Sequence, residues 1–299
     1  MDMDIKTYLA AKRQQVEAVL YSLLPAPGNE LDHHFESLNY SLQAGGKRVR
    51  PILCLAAAES LGYCIPTPLM AIPCALECIH TYSLIHDDLP AMDNDALRRG
   101  KPTNHMIYGE AGAILAGDGL LSFAFELLSQ TETSGLLPDR DRLRIIHIVA
   151  RAIGSWGMVG GQALDMEAED RDIPLASLQM IHQCKTGALI TASVQTGAIL
   201  GRANDKEFQA LSAYGRLVGL AFQIVDDLLN VLGTTEQLGK ASGSDAKNCK
   251  ATYPAFLGVE QTRIKAQQTI QEAIDTLSGL GAAADPLREL ARYIYRRTN

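Results

Sequence analysis

The 299-residue chain has no excess of basic charge: 27 Lys and Arg stand against 34 Asp and Glu, a formal net charge of −7. That argues against a general nucleic-acid binder, which needs a basic face, but leaves room for a local basic pocket. Strand-like alternation closed by hairpin turn pairs is absent. So are an interdomain linker, an internal repeat and a low-complexity tract. No run reaches the ~18–20 strongly apolar residues that span a bilayer. The stretch from Leu61 to Leu76 contains Pro66, Pro68 and Pro73, and that from Thr186 to Gly201 carries several Thr, a Ser and a Gln. The start, Met1-Asp2-Met3-Asp4, is acidic, unlike a signal peptide. The six cysteines (Cys54, Cys64, Cys74, Cys78, Cys184, Cys249) lie mostly in apolar helical patterns, as small buried hydrophobes of a reducing compartment do. Cys74 and Cys78 share a helix face, yet a zinc site needs two more ligands and none is near. A soluble, cytoplasmic protein without a membrane span is the expectation.

What the chain does have is helical periodicity and enough apolar residues, 47%, for one large core. The pattern predicts helices over roughly 3–24, 31–44, 48–62, 67–89, 109–131, 139–160, 174–201, 205–232, 260–279 and 284–297. Pro25-Ala26-Pro27-Gly28 and Gly45-Gly46 end the first two. Arg99-Gly100-Lys101-Pro102 reads as a loop, and Gly239 to Lys250 as a polar, mobile one. Long helices around one core suggest an all-α fold, a single large helical bundle over residues 1–299.

Two acidic clusters, about 140 residues apart, end long apolar helical stretches. The first is Asp87-Asp88-Leu89-Pro90-Ala91-Met92-Asp93. Asp87 and Asp88 point about 100° apart on a helix. Pro90 breaks or bends that helix, so Asp93 is able to return toward Asp87. Three carboxylates could then share bridging Mg²⁺, because clustered oxygen ligands without His or Cys suit that ion. The second cluster is Asp226-Asp227-Leu228-Leu229-Asn230. Asp226 and Asn230 are four apart and share a face, and Gln223 lines the same side. A desolvated carboxylate beside a like charge is costly unless something cationic is bound. Taken alone, the first cluster also reads as a solvated acidic loop, and the second as a buried hydrogen-bonded pair.

Basic groups lie apart from these. Gly45-Gly46-Lys47-Arg48-Val49-Arg50-Pro51 is a tight turn into a helix, where free backbone N–H groups with Lys47 and Arg50 would hold an anion. The planar fork of arginine suits phosphate oxygens. His80 lies about two turns before the first Asp pair, and Arg98-Arg99 follow it. Lys185-Thr186-Gly187 sits inside a helix, where Gly187 is unfavourable without a reason. A kink there would expose the Lys185 or Thr186 carbonyl. Lys240 and Lys250 flank the polar loop and would close over a bound diphosphate.

With these pieces in place, the chain resembles the short-chain trans-isoprenyl diphosphate synthases, most of all bacterial farnesyl diphosphate synthases. The resemblance runs through Gly45 to Pro51, Glu77 to Gly100, Gly160-Gly161-Gln162-Ala163-Leu164-Asp165, Lys185-Thr186, Phe222 to Asn230, Leu238-Gly239-Lys240 and Lys250-Ala251-Thr252-Tyr253-Pro254. It implies a helical bundle of the isoprenoid synthase type with a central active-site cavity. It implies Mg²⁺, three per site: two on Asp87, Asp88 and Asp93, one on Asp226 with Asp227 nearby. Arg98, Lys185 and Lys240 would contact the allylic diphosphate. Gly46, Lys47, Arg50, His80 and Arg99 would hold isopentenyl diphosphate, with Lys250 at the closing loop. Lys185, Thr186 and Gln223 would face the carbocation. Gln162 and Asp165 have a supporting role. Tyr82 and Ser83, five and four residues before the first Asp, would form the floor that limits product length, and a bulky Tyr82 favours fifteen carbons. A homodimer follows from the resemblance as well.

One position departs from the family pattern: the second motif ends in Asn230 where Asp is usual. An amide carbonyl ligates without charge, which implies weaker binding of the third Mg²⁺. Three other readings compete: a geranylgeranyl diphosphate synthase, a terpene cyclase, and a non-catalytic subunit of a heteromeric synthase. The second anion site of Lys47, Arg50 and His80 opposes the cyclase, and the intact first cluster opposes the subunit.

Overall fold

The computed structural model describes residues 3–24, 28–133, 135–232 and 252–296. They are almost entirely helical: α1 (Ile5–Leu20), α2 (Asp32–Leu42), α3 (Val49–Glu59), α4 (Ala71–Asp87), α5 (Asn104–Leu128), α6 (Asp139–Ile153), α7 (Met158–Glu167), α8 (Leu175–His182), α9 (Ala188–Leu200), α10 (Asp205–Leu232), α11 (Tyr253–Leu257), α12 (Val259–Thr276) and α13 (Asp285–Arg296). The all-α expectation holds.

The chain divides into two compact units. One comprises Leu9–Ile52 and Pro66–Ile146. Its centre is α4, buried on every side from Ala71 to Ile79, as a helix that is apolar all round must be. The helix packs along α5, and α2 covers α5 in turn. Gly109, at φ 74°, interrupts α5 one turn and a half from its start, which is why the apolar period reads from 109 onward.

The other unit comprises Met1–Tyr8, Leu53–Ile65 and His147–Asn299. Its core is α9 against α10, with α12 also packed on α10. Asn204 and Glu207 start α10 as a capping box: the Asn204 side chain accepts from the Lys206 and Glu207 amides (3.0 and 3.1 Å), and Glu207 accepts from the Asn204 amide at 2.9 Å. At the end of the chain, α13 buries Leu287, Leu290, Ala291 and Ile294. Those positions are i, i+3, i+4 and i+7, one stripe of a helix.

Four local expectations are corrected. Residues 139–160 form two helices, because Gly154 to Gly157 break the run before α7. A short helix, α11, was not foreseen. A minimal hairpin also exists: β1 (Leu97–Arg98) pairs antiparallel with β2 (Lys101–Pro102) across Arg99 and Gly100. Both turn residues have positive φ, 54° and 76°, the requirement of a two-residue type I′ turn; Arg99 occupies a place where Asn or Gly is usual, which hid the turn. Finally, two helical stretches, Thr67–Asp87 and Asn104–Leu128, are long and apolar enough to cross a membrane. The apolar window of the first is 78% buried inside the protein, as befits a core helix, and that of the second 39%.

Candidate active site

In the unit built on α4, the helix ends at Asp87, three residues before Pro90. The chain then turns back on itself. The Asp93 amide donates to the Asp87 carbonyl at 2.9 Å, and the Asn94 amide to the Leu89 carbonyl at 3.1 Å, with Asn94 in the left-handed region. The expected return of Asp93 toward Asp87 is therefore present in the backbone. Asp87 and Asp93 are half-exposed, whereas Asp88 is only 3% exposed. The Asp88 carboxylate accepts from Arg98 Nε at 2.8 Å and from Arg98 Nη2 at 2.5 Å. Burial raises the Asp88 pKa and Arg98 pulls it part of the way back.

The basic turn closes onto the hairpin. The Arg99 guanidinium lies on Gly45 and Gly46 and donates to the Gly45 carbonyl. A Cβ on Gly46 would stand 2.7 Å from Arg99 Nη1, so only glycine allows this approach. Lys47 is exposed and Arg50 half-buried. Between them, Arg48 is buried and holds the turn: it donates to Glu77 (2.8 Å), Glu17 (3.1 Å), Tyr21 Oη (3.1 Å) and the Leu42 carbonyl (2.7 Å). Arg48 is a residue that the sequence reading passed over. Its signal was Glu77, a lone acid in the apolar run of α4, which needs a buried cation.

His80 sits among these cations. Its Nδ1 is buried with no hydrogen-bond partner among the described residues. Burial pushes its pKa well below the usual value, and Arg50, Arg99, Arg98 and Arg48 add to the effect. A neutral imidazole inside a ring of guanidinium charge marks a field that favours an anion. Ser83 donates its hydroxyl to the His80 carbonyl at 2.9 Å. Tyr82 is 6% exposed, its pKa pushed up to about 12 by burial and by Asp87.

In the other unit, a π-helical turn, Gln183–Gly187, joins α8 to α9. It fulfils the expected irregularity at Lys185-Thr186-Gly187. A π turn frees carbonyls from the α ladder, and Thr191 Oγ1 donates to that of Gly187 at 2.8 Å. The turn lies so close to α7 that a Cβ on Gly161 would overlap the Lys185 backbone. This explains Gly161; a Cβ on Gly160 would instead meet the Ser155 carbonyl. Lys185 Nζ donates to Asp165 Oδ2 at 2.7 Å. Thr186, Gln223 and Asp226 are half-exposed. Asp227 is buried (7% exposed): Oδ2 accepts the Tyr253 amide at 2.8 Å, and Oδ1 is 4.0 Å from His182 Nε2. Burial brings His182 down to about 4, with Asp165 opposing and Lys185 adding. Burial pushes Tyr253 up to about 12. Asn230 is buried as well. His182 and Tyr253 were not singled out by the sequence reading, and nothing in their spacing gave them away.

Lys240 and Lys250 lie outside the described residues. Among the described residues, no group of three His, Cys, Asp or Glu side chains is gathered for a metal. The donors at Asp87 and Asp93 are nevertheless all oxygen, half-exposed and tied together through their backbone, a set whose chemistry fits Mg²⁺.

Comparison with known proteins agrees with these features. The family described as polyprenyl synthetase matches residues 32–283. The chain is 47% identical over 301 residues to a geranylgeranyl diphosphate synthase of Cyanophora paradoxa, covering 100% of this chain and 98% of the relative. It is 45% identical over 276 residues to the farnesyl diphosphate synthase of Geobacillus stearothermophilus, covering 91% and 90%. The crystal structure of an FPP/GFPP synthase from Zymomonas mobilis superposes with a TM-score of 0.86 at 40% identity, covering 97% of this chain and 98% of that one. The fold is that of the helical isoprenoid synthases, and the chain belongs to the polyprenyl synthetase family.

Proposed function

We propose that the protein condenses isopentenyl diphosphate head to tail with dimethylallyl or geranyl diphosphate and releases farnesyl diphosphate, in a Mg²⁺-dependent reaction. Prenyl transfer itself follows from the family. The observation that carries the substrate assignment is the guanidinium charge gathered at the basic turn: Arg99 lies on Gly45 and Gly46, and Arg50, Arg98 and Arg48 act with it on the buried His80. Such a field holds a diphosphate whose charge the rest of this acidic chain would repel. Arg99, Arg50 and Lys47, with the Gly46 backbone, grip isopentenyl diphosphate. Arg98, Lys185 and Lys240 take the allylic diphosphate, assisted by Lys250. Arg98 and Lys185 are now held by carboxylates, and Arg99 by a carbonyl, that a diphosphate oxygen would replace.

Mg²⁺, three per site by resemblance, would supply charge for the leaving diphosphate, with Asp87, Asp88 and Asp93 as ligands in one unit and Asp226 and Asp227 in the other. Ionisation of the allylic C–O bond leaves a carbocation. Thr186, the carbonyls of the π turn and Gln223 present partial negative charge to it. The isopentenyl double bond attacks, and the departed diphosphate removes the proton. No side-chain nucleophile takes part. Water is excluded, because it would quench the cation.

We take residues 1–299 as one functional domain, since the family match from 32 to 283 runs through both compact units. A homodimer in the cytoplasm is part of the proposal. The exposed apolar side chains Met106, Ile107 and Leu115 of α5 and Leu143 of α6 support a second copy there. The buried thiols of Cys54, Cys74 and Cys78 suit a reducing compartment.

A twenty-carbon product is the second reading, favoured by the 47% identity to a geranylgeranyl diphosphate synthase. The buried Tyr82 beside Asp87 favours fifteen. Purified protein with Mg²⁺, isopentenyl diphosphate and each allylic starter decides between them. A fifteen-carbon product that lengthens on Tyr82→Ala supports this account. A twenty-carbon product from the native chain rejects the farnesyl assignment, and no product with either starter rejects the enzyme.

A further inference from the structure

The residue before the first aspartate pair is used by nothing described so far. His86 lies one turn after Tyr82 on α4, on the same face. The edge of one ring meets the other, with centroids 5.8 Å apart and planes at 79°. On its far side the imidazole is pressed against α5. Its Nε2 is 3.0 Å from the Ile114 carbonyl oxygen. A carbonyl only accepts, so Nε2 carries the proton and donates it. The Asp118 carboxylate stands 3.9 Å from the same nitrogen.

The contact with α5 depends on a missing side chain. Gly117 is buried one turn below Ile114, and a Cβ there would fall inside the His86 ring. Glycine in a helix interior is unfavourable against alanine. At Gly117 that cost is offset by room for an imidazole. Tyr82, His86 and the α5 backbone thus form a stack: the Tyr82 and His86 rings meet edge to face, and the histidine meets a backbone that does not yield. An edge-on ring pair with one member pinned by a hydrogen bond restricts the rotamer of the other.

We propose that His86 is a positioning residue for product length: it braces the Tyr82 ring against the α5 backbone at Ile114 and Gly117, and so fixes the floor on which the growing chain stops. The inference rests on the reading of Tyr82 as that floor. The contacts of His86 are with Tyr82 and α5 rather than with the groups assigned to either diphosphate, so its loss should change where elongation ends more than whether it begins.

The test compares native protein with Tyr82→Ala, His86→Ala, His86→Phe, Gly117→Ala and the double variant His86→Ala/Gly117→Ala. The readout is the ratio of the product one isoprene unit longer to the native product, with the thermal midpoint measured alongside. His86→Ala should raise the ratio by about two- to tenfold, the range of a single aromatic contact. His86→Phe keeps an aromatic ring and should shift it less. Gly117→Ala should change the ratio in the native background and leave it unmoved when His86 is already alanine, because the clash it creates is with the imidazole. If His86→Ala does not fold, His86→Phe and Gly117→Ala carry the comparison. A longer product from Tyr82→Ala with no shift from the His86 and Gly117 variants overturns the inference and spares the floor. So does an equal effect of Gly117→Ala in both backgrounds. An unchanged product from Tyr82→Ala removes the floor itself, and the brace with it.

Discussion

Both acidic pairs end an apolar helical run, and in both the first aspartate is half-exposed and the second buried. The buried members are held differently. Asp88 is locked to a guanidinium, Arg98, by three contacts of 2.5 to 2.8 Å. Asp227 is locked to a backbone amide, that of Tyr253, with the uncharged His182 at 4.0 Å. A turn of about 100° between neighbours on a helix turns one carboxylate inward and leaves its neighbour at the surface. The outward Asp87 and Asp226 are therefore the more accessible of the proposed ligands. The inward Asp88 and Asp227 also anchor the backbone, Asp88 through Arg98 and Asp227 through the Tyr253 amide. Two identical dipeptides thus carry the same division of labour on different physical supports.

The ionic support extends inward, and breaking it there should have the largest effect. Arg48 and Glu77 have side chains 0% and 2% exposed at 2.8 Å. Removing one partner of a buried pair strands the other. Glu77→Ala should cost about 3–5 kcal/mol in a denaturant titration, more than any change to the Asp227 support. A loss under about 1 kcal/mol would mean the pair is not buried as described.

Next comes Asp88→Asn, which removes the closest counter-charge of Arg98 and leaves only the more distant Asp95 at 3.9 Å; it should cost about 2–3 kcal/mol. Arg98→Ala added to Asp88→Asn should then cost little more. Additive losses would show that the two do not support one another.

The pH dependence separates the two supports further. Arginine keeps its charge throughout, but His182 has its pKa brought from 6.5 to about 4 by burial. The unfolded chain therefore binds a proton first, and stability falls as pH drops from about 6.5 toward 4, by at most about 1.4 kcal/mol per unit. His80, also lowered by burial and by Arg50, acts in the same direction. His182→Gln should flatten the slope of unfolding free energy between pH 7 and 5, and an unchanged slope would place the lost protons elsewhere.

The smallest effect should be that of Asp227→Asn. Asparagine retains an oxygen for the Tyr253 amide, so about 0.5–1.5 kcal/mol is expected. A loss equal to that of Asp88→Asn would erase the distinction between the supports.

Much of this was legible in the chain. The long periodic helices, the return of Asp93 after Pro90, and the irregular turn at Gly187 follow from local geometry that a sequence states directly. The acidic pairs were visible because a charge at the end of an apolar helix is conspicuous. Arg48 was not, because a basic residue between Lys47 and Arg50 looks like part of a solvated turn until Glu77 is placed beneath it. The hairpin at Arg99 was hidden by a side chain seldom found at positive φ. His182 and Tyr253 meet Asp227 only through tertiary packing, and no spacing of one, three or four residues announces that. Asn230, whose carbonyl could still ligate, is buried near the end of its helix between Leu229 and Val231.

The division of labour can be measured in one series: turnover and thermal midpoint for Asp87→Asn, Asp88→Asn, Asp226→Asn and Asp227→Asn, assayed together with isopentenyl and geranyl diphosphates over a range of Mg²⁺. The account expects Asp87→Asn and Asp226→Asn to keep the native midpoint while turnover falls by about 100-fold or more. It expects the midpoint to drop for Asp88→Asn most of all, and slightly for Asp227→Asn. Full turnover in the Asp87 and Asp226 variants, or a midpoint that falls equally for both members of a pair, would contradict it.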